Sequence, residues 1–123
     1  MRRDDPAARL LVALEGHDDV ALASVLNPDA RMVVDTGDES GGEVRGRARV
    51  ARALTGLPAL HPDASFEVVH VNGRPGLALR RGDGEVVGVL ALDLGPDDTI
   101  RRLWLSTAQG KLAYWNRRRP DIE

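Results

Sequence analysis

Apolar and polar residues alternate along this chain with periods that change, and each change marks an element. In "DDPAARLLVALEGHD" the residues Leu10, Leu11 and Leu14 recur at helical spacing. Asp4 or Asp5 can accept the first free backbone N–H groups, Pro6 suits the first turn, and Gly16 supplies a stop. A shorter helix is expected directly after it, capped by Asp18 or Asp19 and striped by Leu22, Val25 and Leu26. Its end is set by "NPD", since Pro28 cannot continue the hydrogen bonding. "ARMVVD", from Ala30 to Asp35, is a β-branched run that reads as a strand and opens onto the glycine-rich, acidic loop "TGDESGG". "EVRG" reads as a short strand beyond that loop. "RARVARALTGL" then restores helical spacing through Val50, Ala51 and Leu54, with Gly56 near the expected stop.

From about Ser65 the pattern is that of a sheet, and its turns set its register. A two-residue NG turn pairs Val71 with Arg74, and directly paired antiparallel residues share a face. Phe66, Val68 and His70 therefore fall with Pro75, Leu77 and Leu79. Carried through the "GDGE" turn, the same face is expected to gain Val86, Gly88, Leu90, Leu92 and Leu94. The opposite, mixed face collects Glu67, Val69, Val71, Arg74, Gly76 and Ala78 with Val87, Val89, Ala91 and Asp93. A final strand, "IRRLWLS" from Ile100 to Ser106, follows the turn "GPDD" and is expected to close the sheet, with its register left open. This order gives an α+β fold in which the helices cover one face of the sheet.

Composition narrows the possibilities without naming a partner. The 123 residues suit one domain, with residues 110–123 expected to form a C-terminal tail. A hydrophobic share of 42%, a charged share of 29% and a net charge of −2 are ordinary for a soluble globular protein and wrong for a dedicated nucleic-acid binder. The triplet Arg117, Arg118 and Arg119 reads as a solvated basic end. There is no cysteine, which excludes disulfides, thiol nucleophiles and Cys-ligated metals. His17, His61 and His70 are widely separated and stand in no ligand spacing, so no metal and no cofactor are expected. The glycines form no phosphate-cradling pattern. The start, "MRRDDPAARLL", is too short in apolar residues for a signal peptide or membrane span, so a cytoplasmic protein without membrane contact is expected.

The element order, length and residues resemble the SnoaL-like branch of the nuclear transport factor 2-like superfamily. That resemblance implies a cone-shaped fold, with N-terminal helices packed on a curved, mostly antiparallel sheet and a cavity at the open end. "VNGRPGLALRRGDGEVVGVLALDL" followed by "IRRLWLS" closely resembles the C-terminal extension of a class of extracytoplasmic-function sigma factors. "DTGDESGGEV" is similar to a longer form of the "DGGGK"-type loop of those proteins, and Gly110, Lys111 and Leu112 match part of their "NPDKL"-type segment. The promoter-binding and core-polymerase-binding regions of such a sigma factor are not in these 123 residues. What the resemblance implies is regulation, with a component of the transcription machinery as a partner.

Two residues are candidates for chemistry. His70, placed on the leucine face, would act as acid or base among apolar neighbours; its structural alternative is a hydrogen-bonded strand-end residue. Asp35 would hold a cation or take a proton at a cavity mouth; its structural alternative is an Asx turn. Asp93 is expected to pair with Arg74. Phe66, Val68, Leu77, Leu90, Leu92 and Trp104 are expected to line the pocket. Two functions follow. One is a non-catalytic module that binds a small apolar ligand or a protein partner. The alternative is a small cofactor-independent enzyme of cyclase, isomerase or dehydratase type using His70 or Asp35. Because Val69, Val71, Val87 and Val89 would leave an apolar strip on the mixed face, a homodimer packed through that face is also expected.

Overall fold

The computed structural model describes residues 5–39, 41–60, 62–71, 73–108, 110, 112, 113 and 115. Expectations for His61, Lys111 and Arg117 to Arg119 lie outside the described residues. The first helix, α1, spans Pro6–Glu15 with Asp5 as its N-cap, and the Asp5 carboxylate accepts the Ala7 N–H at 2.9 Å. Removing this cap by Asp5→Ala should cost about 1 kcal/mol, read as a lower thermal midpoint with an unchanged far-UV spectrum. Asp18 caps α2, Asp19–Val25, in the same way, accepting the Ala21 N–H at 3.1 Å.

Strand β1, Leu26–Asp35, follows α2 without a turn, so "NPD" lies inside the strand. Its register is irregular between Leu26 and Arg31, where Pro28 has no N–H to give to a ladder. Strand β2 is Gly42–Arg45. Helix α3 covers Arg47–Leu60 and runs through Gly56, which the sequence placed near its stop. Burial of Val50, Leu54 and Leu57 offsets the roughly 1 kcal/mol that a mid-helix glycine costs. Strands β3 (Ser65–Val71), β4 (Arg74–Arg80), β5 (Val86–Leu94) and β6 (Ile100–Ser106) complete the sheet.

The six strands lie in the order β2-β1-β6-β5-β4-β3. Strand β6 therefore sits inside the sheet instead of closing it, parallel to β1 and antiparallel to β5. The NG turn pairs Val71 with Arg74 as its sequence dictates, with Gly73 at φ 82°. The second hairpin departs from the parity reading. Leu79 faces Gly88 but Arg80 faces Val86, so a bulge inserts one extra residue into β5. The bulge exchanges two valines: Val86 packs on the outer, mixed face and Val87 against the helix-side core.

All three helices cover the leucine face of this curved, unclosed sheet. The core there joins Leu10 and Leu14 of α1, Leu22 of α2 and Leu54 of α3 to Leu77, Leu90 and Leu103 of the strands. On the outer face a second, smaller cluster forms where Leu112 and Trp115 pack over Ala78, Val86 and Val89, with Val69 and Val71 beside them. Residues 110, 112, 113 and 115 are helical, and Leu112 is buried, so this part of the expected tail is a cover for the sheet. It also covers most of the valine strip through which dimerisation was expected.

Candidate functional site

His70 lies on β3, at one edge of the sheet, opposite Pro75. Its parity is that of Phe66, but only Phe66 is buried under the helices, while Val68 and His70 are exposed. The expected place in the wall of an apolar cavity is therefore corrected. Parity assigns a side chain to a face, and the helical cover ends before it reaches His70.

Asp35 ends β1 on the outer face, where its carboxylate accepts the Gly37 N–H at 3.0 Å and its carbonyl accepts the Thr107 N–H at 2.9 Å. This is the Asx turn named as the structural alternative. Asp35 and His70 lie on opposite faces, and β6, β5 and β4 separate their strands. Four strand spacings amount to about 19 Å, too far for both to act on one atom. The loop after Asp35 is closely fitted. Thr36 donates its hydroxyl to Asp38 at 2.7 Å, and a Cβ on Gly41 would collide with the Val34 carbonyl oxygen. Beneath the loop is an open recess of about 400 Å³, lined among others by Val33, Asp35, Asp38, Trp104 and Ser106.

The six residues expected to line a pocket are distributed over both faces of the sheet. Phe66, Leu77, Leu90 and Leu92 are buried in the main core, Val68 is exposed, and Trp104 stands on the outer face beside Val33. Of the six, Leu92 reaches a larger opening. At the N-terminal end of α1 an open cleft of about 770 Å³ runs between Asp5, Pro6 and Ala7, the start of β4 at Arg74 and Pro75, and the end of β5 at Leu92 to Leu94. Ala7, Pro75, Leu92 and Leu94 supply its apolar surface, and Asp5, Asp93 and Asp98 outnumber Arg74 among its charged groups. The expected pair of Asp93 with Arg74 is present at 3.5 Å. Sequence reading missed this cleft because its walls come from three separated segments. The one local signal was the Asp5-Pro6 cap, which fixes where α1 begins.

Near the cleft, Asp97 is fully exposed, and hydrogen bonds from the Thr99 hydroxyl at 2.6 Å and the Thr99 N–H at 3.1 Å hold its carboxyl below the usual range. It shapes the β5–β6 turn. Among the described residues no group of three or more His, Asp or Glu is placed to hold a metal ion, and no helix is long and apolar enough to cross a membrane.

The model of the SnoaL-like domain matches residues 7–107. This chain belongs to the SnoaL-like domain family. Among solved structures, this SnoaL-like domain is similar to the extracytoplasmic function sigma factor SigJ of Mycobacterium tuberculosis, with 22% identity and a TM-score of 0.67 over 89% of this chain and 44% of that one. It is also similar to an NTF2-like protein of unknown function from Mesorhizobium loti, with 19% identity and a TM-score of 0.58 over 86% of this chain and 93% of that one. These similarities show the cone-shaped NTF2-like fold. A 52-residue stretch is 46% identical to the dITP/XTP pyrophosphatase of Symbiobacterium thermophilum, covering 42% of this chain and 26% of that protein. The matched stretch thus spans about a quarter of that curated relative, and the chain covers less than half of the sigma factor.

Proposed function

We propose that this SnoaL-like domain is a non-catalytic binding module that seats a small apolar molecule with a cationic head in the cleft beside the start of α1. The observation that carries this reading is the make-up of the cleft, an apolar surface from Ala7, Pro75, Leu92 and Leu94 under a rim of three carboxylates and one guanidinium. Such clefts bury a ligand's apolar body and orient it by a few polar groups. The separation of His70 from Asp35 supports binding over chemistry. The similarity to a sigma factor supports a regulatory setting, in which a component of the transcription machinery reads the occupied state. The test uses cyclohexylmethylamine as probe. It should shift the amide signals of Ala7, Leu92 and Leu94 in an NMR titration and be recovered unchanged, and Leu94→Lys should weaken binding at least tenfold. Shifts confined to other regions, or binding indifferent to Leu94→Lys, would place the ligand elsewhere, and recovery of an altered compound would make the module an enzyme.

A further inference from the structure

Two recesses on the outer face of the sheet adjoin along β1 and β6. The first, of about 480 Å³, is lined among others by Arg31, Arg101 and Arg102 with Asn27, Asp29 and Asp97. It opens where the register slips, since Asn27 to Ala30 of β1 stand against Arg101 alone between the pairs Leu26–Ile100 and Arg31–Arg102. Irregularities of this kind re-aim side chains and gather beside binding sites. Bonds between the two segments fix the frame: Asn27 Nδ2 donates to the Thr99 hydroxyl at 3.1 Å, and that hydroxyl donates to Asp97 at 2.6 Å. The second recess begins two residues further along both strands, at Val33 and Trp104.

The first recess keeps a cationic excess. Arg31 shares Glu43 with Arg45, each at 3.5 Å, and Arg45 continues the guanidinium row onto β2. Arg101 and Arg102 form no ion pair with a carboxylate within 4.0 Å among the described residues, and Asp97 is already held by both Thr99 donors. Arg102 lies 6.0 Å from the centre of the Trp104 ring, the outer limit of a cation–π contact, so its fork is available to another acceptor. Guanidinium forks grip phosphate oxygens two at a time. Trp104 is 40% exposed beside Val33 at 39%, and an open aromatic face stacks a nucleobase. It stands two residues from Arg102, about 7 Å along β6, which is the reach of a ribose between its base and its 5′-phosphate. Asp35 and Asp38 line the second recess and repel phosphate, so only one polarity fits.

We propose that these two recesses bind a nucleoside 5′-diphosphate, with the diphosphate on Arg31, Arg101 and Arg102 and the base stacked on Trp104. The site shares no lining residue with the cleft beside α1 and stands whether or not that cleft binds its amine. Beside Asp29 and Asp97 the three guanidiniums leave an excess of one positive charge, too little to hold a bare anion firmly. The ring is therefore needed as well as the charge, and it is what separates a nucleotide from inorganic phosphate.

The experiment is an NMR titration of the full chain with ADP, with adenosine and inorganic diphosphate as separate probes. ADP should shift the Trp104 indole signal and the Arg101 and Arg102 amides, and its affinity should fall as salt is added. Each part alone should bind about tenfold more weakly or worse, since joining the parts makes the second contact intramolecular. Trp104→Ala and Arg102→Gln, each first shown by circular dichroism to be folded, should weaken ADP about fivefold or more. Inorganic diphosphate should respond to Arg102→Gln and not to Trp104→Ala. Saturating cyclohexylmethylamine should leave ADP binding unchanged. Absence of these shifts at millimolar ADP overturns the proposal. Diphosphate binding as tightly as ADP, with Trp104→Ala without effect, overturns it as well, since that is the behaviour of an anion patch. Displacement of ADP by the amine does the same, because it puts the nucleotide in the cleft.

Discussion

Leu103→Ala should be among the most damaging single changes in this protein. Leu103 is fully buried at the centre of β6 and packs with leucines of α1, α2 and α3 in the main core. Truncating such a side chain removes its transfer free energy and leaves a cavity that the rigid sheet cannot close. The expected cost is about 3–4 kcal/mol, or a fall of roughly 12 °C in the thermal midpoint of a domain this size. Its neighbour Trp104 points to the other face and is 40% exposed. Trp104→Ala should therefore change monomer stability by less than about 1 kcal/mol, since little buried contact is lost. Calorimetry on the two variants under monomeric conditions checks the pair, and equal losses would contradict the assignment of faces.

Gly76→Val should be about as costly for the opposite reason, too much volume. A Cβ at Gly76 would lie 2.5 Å from the Leu90 carbonyl oxygen and 3.0 Å from Val71 Cγ2. The first of these is backbone of the neighbouring strand and cannot rotate away, so β4 and β5 must separate locally. A loss of roughly 3 kcal/mol is expected, seen in urea as a lower midpoint with little change in slope. Gly56→Ala is the control. That glycine lies within α3, a Cβ there meets nothing within 4 Å, and the change should stabilise by about 0.5–1 kcal/mol.

Local chemistry made part of this fold legible in advance. Asp5 with Pro6, and Asp18 after Gly16, mark helix starts because a cap is a contact between neighbours in sequence. The NG pair fixes Val71 against Arg74 for the same reason. The bulge in β5 was not legible, since alternation is counted along one strand while the bulge is defined by pairing across two. Arg80 is drawn to Glu67 at 2.6 Å and to the Gly84 carbonyl at 2.9 Å, and no count of alternating residues shows that. The place of β6 also escaped, because its pairing with β1 joins segments with no turn between them. Of the site, the turn at Asp35 could be read, as its carboxylate serves its own loop. The exposure of His70 and the cleft beside α1 depend on how far a helix extends over a sheet, and periodicity does not encode that distance.

The position of β6 bears on how the protein comes to be folded. Of the six strands it is the last to leave the ribosome, yet β1 and β5 are joined in the sheet only through it. Until residue 106 has emerged, β1 with β2 and the β3–β5 meander have no strand between them, and each keeps an open hydrogen-bonding edge. Closing the sheet then requires a parallel pairing between segments about 70 residues apart, from Val33 against Trp104, and non-local pairing of this kind is slow. A synthesis intermediate of this SnoaL-like domain should therefore be open to strand addition from other chains, and protease resistance should appear only once β6 has emerged and paired with both β1 and β5.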